Sequence, residues 1–213
     1  MSSSQGSMRD LLARAPVMPI LTIHDVSLAG DLARALVAGG VLVFEVLLRT
    51  PTALDSIREM VKAAPQAAIG AGTLLMRQDV EQAVDAGAAF GVSPGLTSDL
   101  ANAVHAAGLP FLPGVSSASE VMRAMEFGFF EQKLFPAQGR AGIAWLQAMS
   151  GVFPSVRFCP TGGIKQDDIP AYLALPNCHT VGGSWVTPPH LLEARDWASI
   201  TALARQASNM SGA

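Results

Sequence analysis

The stretch Asp31-Leu32-Ala33-Arg34-Ala35-Leu36-Val37-Ala38-Gly39-Gly40-Val41-Leu42-Val43-Phe44-Glu45-Val46-Leu47-Leu48 reads as one helix handed directly to one strand. Apolar residues recur at helical period through Val37, Gly39-Gly40 stands where a glycine stop belongs, and residues 41–48 are an unbroken apolar, β-branched run apart from one glutamate. Period-two alternation puts Val41, Val43 and Glu45 on one face of that run. Helix, glycine stop and strand in succession form the repeating unit of a parallel sheet, whose strands must be joined by long crossovers.

Working outward, the same unit recurs at a spacing of roughly 20 to 26 residues. Eight strands are expected, over residues 17–23, 41–48, 67–73, 88–93, 110–115, 129–135, 156–161 and 179–185. Between them lie helical segments with usable caps, such as Ser117-Ala118-Ser119-Glu120, which has capping-box spacing. Met122 and Met125 on the following helix are expected to fill the gap between strands and helices. The pattern predicts an α/β fold, a closed (β/α)8 TIM barrel preceded by a short helix over residues 8–15; an open doubly wound sheet is the alternative. Residues 1–7, polar and Ser-rich, are expected to form a flexible tail, with residues 8–213 as a single barrel domain.

Bulk properties narrow the function. The chain has 213 residues, half of them hydrophobic, with 15% charged residues and a formal net charge of −3. It offers no basic surface for nucleic acid, no polybasic segment for anionic membrane and no apolar run of membrane-spanning length, so a small-molecule partner and a cytoplasmic setting are expected. The two cysteines, Cys159 and Cys178, make no zinc or disulfide framework. The four histidines are scattered without ligand spacing, so no metal and no cofactor are expected.

In a βα barrel the chemistry gathers at the C-terminal ends of the strands. Glu45, Arg49, Thr73, Ser93, Pro94, Lys133, Thr161-Gly162-Gly163 and Gly182-Gly183-Ser184 all fall at that end. Lys133, one of three lysines, sits inside the strand-like run Phe129-Phe130-Glu131-Gln132-Lys133-Leu134-Phe135-Pro136. An apolar wall favours the free amine, which is how a lysine becomes a nucleophile toward a carbonyl; a lysine paired with Glu131 or facing solvent is the plainer reading. Alternation points Lys133 and Phe135 the same way, so with both faces inward Glu45 and Lys133 share one end of the barrel, and Glu45 can shuttle protons. Glu131 lies one layer deeper, where it reads as a structural partner of Arg157; proton shuttling by Glu131 is the alternative. Cys159 reads as packing. The paired glycines let backbone N–H groups approach an anion at the last two strands, a common phosphate corner of barrels, although paired glycines also serve tight turns.

Taken in order, Phe44-Glu45-Val46-Leu47-Leu48-Arg49-Thr50, Gly70-Ala71-Gly72-Thr73, Ser93-Pro94-Gly95-Leu96, Lys133-Leu134-Phe135-Pro136-Ala137, Arg157-Phe158-Cys159-Pro160-Thr161-Gly162-Gly163 and Gly182-Gly183-Ser184-Trp185 resemble the class I 2-keto-3-deoxy-6-phosphogluconate (KDPG) aldolases, also described as 4-hydroxy-2-oxoglutarate (KHG) aldolases. The resemblance runs through nearly the whole chain. It implies Lys133 as the Schiff-base lysine, Glu45 as general acid and base, and Arg49 and Thr73 on the pyruvate-end carboxylate. It further implies Pro94, Phe135 and Thr161 as pocket walls, Gly162, Gly163, Gly183 and Ser184 as a phosphate cradle, and a homotrimer. The competing readings are a phosphate-binding barrel isomerase or synthase without covalent lysine chemistry, and a non-catalytic barrel that binds a sugar acid.

Overall fold

The computed structural model describes residues 7–210. The strands are β1 (Val17–Leu21), β2 (Val43–Leu47), β3 (Ala68–Gly72), β4 (Phe90–Val92), β5 (Phe111–Leu112), β6 (Gly114–Val115), β7 (Glu131–Leu134), β8 (Arg157–Phe158) and β9 (Val181–Gly183). The helices are α1 (Met8–Leu12), α2 (Ala29–Ala38), α3 (Ala53–Ala63), α4 (Arg77–Asp85), α5 (Ser98–Ala107), α6 (Ala118–Glu126), α7 (Arg140–Val152), α8 (Ile169–Leu173), α9 (Pro189–Glu193) and α10 (Trp197–Ser208). No helix among the described residues is long and apolar enough to cross a membrane.

All strand pairs are parallel, and each expected strand run contains an observed strand, generally shorter. The ladders form a six-stranded sheet, β5-β4-β3-β2-β1-β9, and a three-stranded sheet, β6-β7-β8. This corrects the expectation of one closed eight-stranded ladder. The run 110–115 is split into β5 and β6 by Pro113, which has no N–H to donate and whose carbonyl accepts from Lys133 N–H at 2.8 Å. At the other seam the chain leaves β8 through Pro160, which also lacks a donor. Among the described residues only the parallel bridges Phe158↔Cys178 and Thr161↔Gly182 join the two sheets there.

Period-two alternation divides the interior in two. Met18, Ile20, Val43, Leu47, Phe90 and Cys159 pack on the inner face with Met8, Leu11 and Leu12 of α1. Leu32, Leu36, Phe44, Val46, Ile57 and Ile69 pack between the strands and the outer helices. Gly39 in the opening stretch is not the left-handed stop: that role falls to Gly40, at φ +90°, while a Cβ on Gly39 would lie 2.7 Å from Thr201 O of α10. The helix contact therefore needs the first glycine and the turn needs the second.

Three further expectations change. The N-terminal helix ends at Leu12 rather than residue 15, and the Thr180 hydroxyl donates to the carbonyls of Leu12 (2.5 Å) and Ala15 (2.9 Å) as the chain turns into β1. Of the expected tail, residues 1–6 lie outside the described residues, and Ser7 belongs to the fold: its Oγ accepts from Asp10 N–H at 3.2 Å and the Asp10 carboxylate accepts from Ser7 N–H at 3.1 Å. Met122 is more than half exposed and fills no gap, whereas Met125 does pack against the outer core.

Candidate active site

Glu45 lies on β2 between the inner-face residues Val43 and Leu47, and Lys133 points inward from β7 while its neighbours Gln132 and Leu134 face the helices. The two meet, with Lys133 Nζ 3.3 Å from Glu45 Oε1 and 3.5 Å from Oε2. Glu45 has no exposed surface and Lys133 is 5% exposed. Charges removed from water to this degree are sustained by their partner, so the pair is held together by mutual need.

The space for the carboxylate comes from the neighbouring strand. The inner face of β3 carries Ala68, Gly70 and Gly72, and no larger side chain. A Cβ on Gly70 would run into the Phe90 ring, and one on Gly72 would lie 2.6 Å from the Glu45 carboxyl carbon. Glycine within a strand marks such close approach. The residue after β3, Thr73, has φ +67°, a left-handed conformation that strains a β-branched side chain. Its Oγ1 accepts from Arg49 Nε at 3.1 Å, which sets an exposed guanidinium and a hydroxyl together at the end of β3, one residue past Gly72.

Gly114 stands in register with Lys133, and a Cβ there would overlap the Pro94 backbone, so its absence lets Pro94 lie close against β6, the neighbour of the lysine strand. The Phe135 ring centroid is 5.4 Å from Lys133 Nζ. Gly162 and Gly163 both have left-handed φ, +94° and +74°, and a Cβ on Gly162 would lie 3.1 Å from the Phe135 ring. Thr161 is buried against Gly182, its bridge partner, and Ser184 follows at the exposed end of β9. The structure thus gathers the residues singled out by sequence at one end of the sheet.

Two side chains below this layer behave differently from each other. Cys159 is fully buried, and burial pushes its thiol up to about 12, so it stays protonated and packs. Glu131 does not pair with Arg157. It accepts from Arg9 Nε of α1 at 2.7 Å, while Arg157 curls back to donate to the carbonyls of Pro154 and Val156 at 2.9 and 3.1 Å. The two are register partners on β7 and β8, but α1 brings a second guanidinium to the base of the sheet, and it takes the carboxylate.

Sequence reasoning missed the lining of a cavity of about 690 Å³ at the end of β1 and β9, which includes Ile20, Thr22 and Thr187 together with Ser184. Ile20 is in register with Glu45 on the neighbouring strand, although neither Glu45 nor Lys133 lines this cavity. β1 carries no charge or glycine signal that could have announced it. Gly72 was quoted only as part of a motif, because the need for it lies on another strand. Among the described residues no group of three His, Cys, Asp or Glu side chains could hold a metal ion.

The family model described as KDPG and KHG aldolase matches residues 8–203. The KHG/KDPG aldolase of Escherichia coli is 45% identical over 207 residues, covering 97% of both chains. The crystal structure of the KDPG aldolase of Zymomonas mobilis with 3-phosphoglycerate superposes with a TM-score of 0.91 at 46% identity, covering 97% of both chains. That of the Legionella pneumophila KDPG aldolase, with pyruvate captured as a covalent carbinolamine intermediate, gives 0.92 at 41% identity, covering 96% of this chain and 100% of that one. By class these relatives are aldolases, carbon–carbon lyases. The chain belongs to the KDPG and KHG aldolase family.

Proposed function

We propose that this chain is a class I aldolase that cleaves KDPG to pyruvate and glyceraldehyde 3-phosphate, and KHG to pyruvate and glyoxylate. The observation that carries this reading is the buried contact between Lys133 Nζ and the Glu45 carboxylate. The Lys133 amine adds to the 2-keto carbon, and loss of water gives a protonated imine that draws electrons from the C3–C4 bond. Glu45 takes the C4 hydroxyl proton as that bond breaks, and the aldehyde leaves. Glu45 returns a proton to C3 of the pyruvate enamine, and water hydrolyses the imine to free Lys133. Arg49 and Thr73 hold the pyruvate-end carboxylate, while Pro94, Phe135 and Thr161 wall the imine pocket. Release of pyruvate from each purified substrate is the direct test; no release from either would end the reading.

Gly162, Gly163, Gly183 and Ser184 cradle the distal phosphate in this scheme. Ser184→Ala removes one hydroxyl and should cost about 1.5 to 3 kcal/mol in kcat/KM with KDPG, the range for a hydrogen bond to a charged group. KHG places no phosphate there, so its kcat/KM should barely change. Comparing the two substrates cancels general damage to the fold, and equal losses would withdraw the phosphate assignment.

Gly72→Ala tests the seat of Glu45. The added methyl must displace the carboxylate, and a displacement of about an ångström at a reacting group costs on the order of 10²-fold in rate. The loss should fall on kcat while circular dichroism stays that of the parent; an unchanged kcat would show that the carboxylate has room to spare.

The closed (β/α)8 barrel belongs to this reading as well, with β5 and β6 as halves of one strand and the two bridges at Thr161 and Phe158 as its closing seam. Residues 8–213 are its single domain. A homotrimer and a cytoplasmic location complete it, and sedimentation at working concentration tests the former.

A further inference from the structure

At the end of the strands away from the glycine corner, a cavity of about 350 Å³ is lined by Arg9, Leu12, Glu131, Arg157, His179 and Thr180. Its charges do not balance. Arg9 hydrogen-bonds to Glu131 through Nε, and among the described residues its terminal nitrogens donate to no side chain. Among the described residues the Arg157 guanidinium donates only to the carbonyls of Pro154 and Val156. Two fixed positive charges therefore line a cavity that holds one carboxylate, itself engaged by Arg9, with His179 between the end of α8 and β9 as a third basic group. Partial desolvation and then the positive charges of Arg157 and Arg9 hold the His179 ring below its ordinary titration range, although the residue keeps an exposed edge. Thr180 is spent on the carbonyls of Leu12 and Ala15, and so serves as wall.

We propose that this basal cavity is a binding site for a small tetrahedral oxyanion of the phosphate or sulfate kind, held by the free guanidinium nitrogens of Arg157 and Arg9 and by the His179 imidazole. Planar guanidinium forks suit such an anion, and three donor groups from different elements suit its three-dimensional shape. The bound anion would tie α1 to the bases of β7, β8 and β9. This proposal does not depend on the aldolase reading, since Lys133 and Ser184 take no part in it.

The groups facing His179 are Arg157 from β8 and Arg9 from α1, with Glu131 of β7 in the same cavity. A neutral ring gains its proton as pH falls, and a dianion favours the protonated ring. Anion affinity should therefore rise as pH falls, and reciprocally the anion should raise the ring's titration midpoint. Sulfate is the probe, because its charge is constant between pH 5 and 8, with chloride balancing ionic strength to hold screening fixed. The His179 C2 proton, assigned by its loss in His179→Gln, reports binding by nuclear magnetic resonance.

Sulfate should shift this signal saturably and raise its titration midpoint by roughly half a pH unit, a differential interaction expected of a dianion near a charged ring. Arg157→Gln and Arg9→Gln should each weaken the effect at least severalfold, and Arg9, being exposed, gives a variant that folds. Ser184→Ala should leave the effect intact, which separates this site from the phosphate corner. Persistence of the full shift in both arginine variants, the absence of saturation, or an equal response to acetate would each overturn the proposal.

Discussion

Borohydride added together with pyruvate is expected to inactivate the protein by reducing one imine, and peptide mapping should find the pyruvyl group on Lys133. The other two lysines lack its surroundings: Lys62 is exposed and paired with Glu59 at 2.7 Å on a helix, and Lys165 is exposed on the loop after Gly163. Lys133 alone has an inward position, a carboxylate at 3.3 Å and an aromatic ring over its amine. Lys133→Arg keeps the charge against Glu45 but offers no amine able to form the imine, so cleavage should drop to the uncatalysed background in a folded protein. An adduct on Lys62 or Lys165, or full activity with no adduct, would defeat the covalent mechanism.

Glu45→Gln should lower kcat by about 10² to 10⁴-fold, the usual loss when a positioned proton carrier is removed. Exchange of the pyruvate methyl protons with deuterated water should slow with it, since that exchange needs the same carboxylate and no C–C cleavage. Neutralising one member of a buried pair also destabilises the fold, by about 3 to 5 kcal/mol when no other partner is found, so the rates belong at temperatures below the lowered unfolding transition. Glu131→Gln is the control. Its carboxylate is taken by Arg9 at the base, and kcat should stay near that of the parent. If Glu131→Gln loses exchange and Glu45→Gln keeps it, the two carboxylates have been assigned in reverse.

The order of strands and helices was legible because the signals are local: helical period, glycine stops and β-branched runs. Alternation along single strands, which needs no knowledge of neighbours, placed Glu45 with Val43 and Lys133 with Phe135, and the structure turns both faces inward. Where the reading failed, the deciding contact was remote. Arg9 and Glu131 are separated by 122 positions, and Arg157 on the adjacent strand was the nearer guess in register but not in side-chain geometry. The bare inner face of β3 makes sense only once Glu45 and Phe90 are seen leaning across it from both sides. The break in the ladder turns on prolines 113 and 160, whose missing donors interrupt hydrogen bonding without changing the direction of the chain.

The left-handed backbone at Thr73 has a consequence for anyone who sets out to make this protein hardier. Asparagine or glycine relaxes that conformation, so a screen that rewards heat resistance alone will tend to select either at position 73. Glycine also removes the hydroxyl that receives Arg49. On the proposed role of Thr73 in holding the pyruvate-end carboxylate, durability and turnover then compete at a single position, and the sturdier descendants of such a screen would be poorer catalysts, a conflict common where a site stores strain.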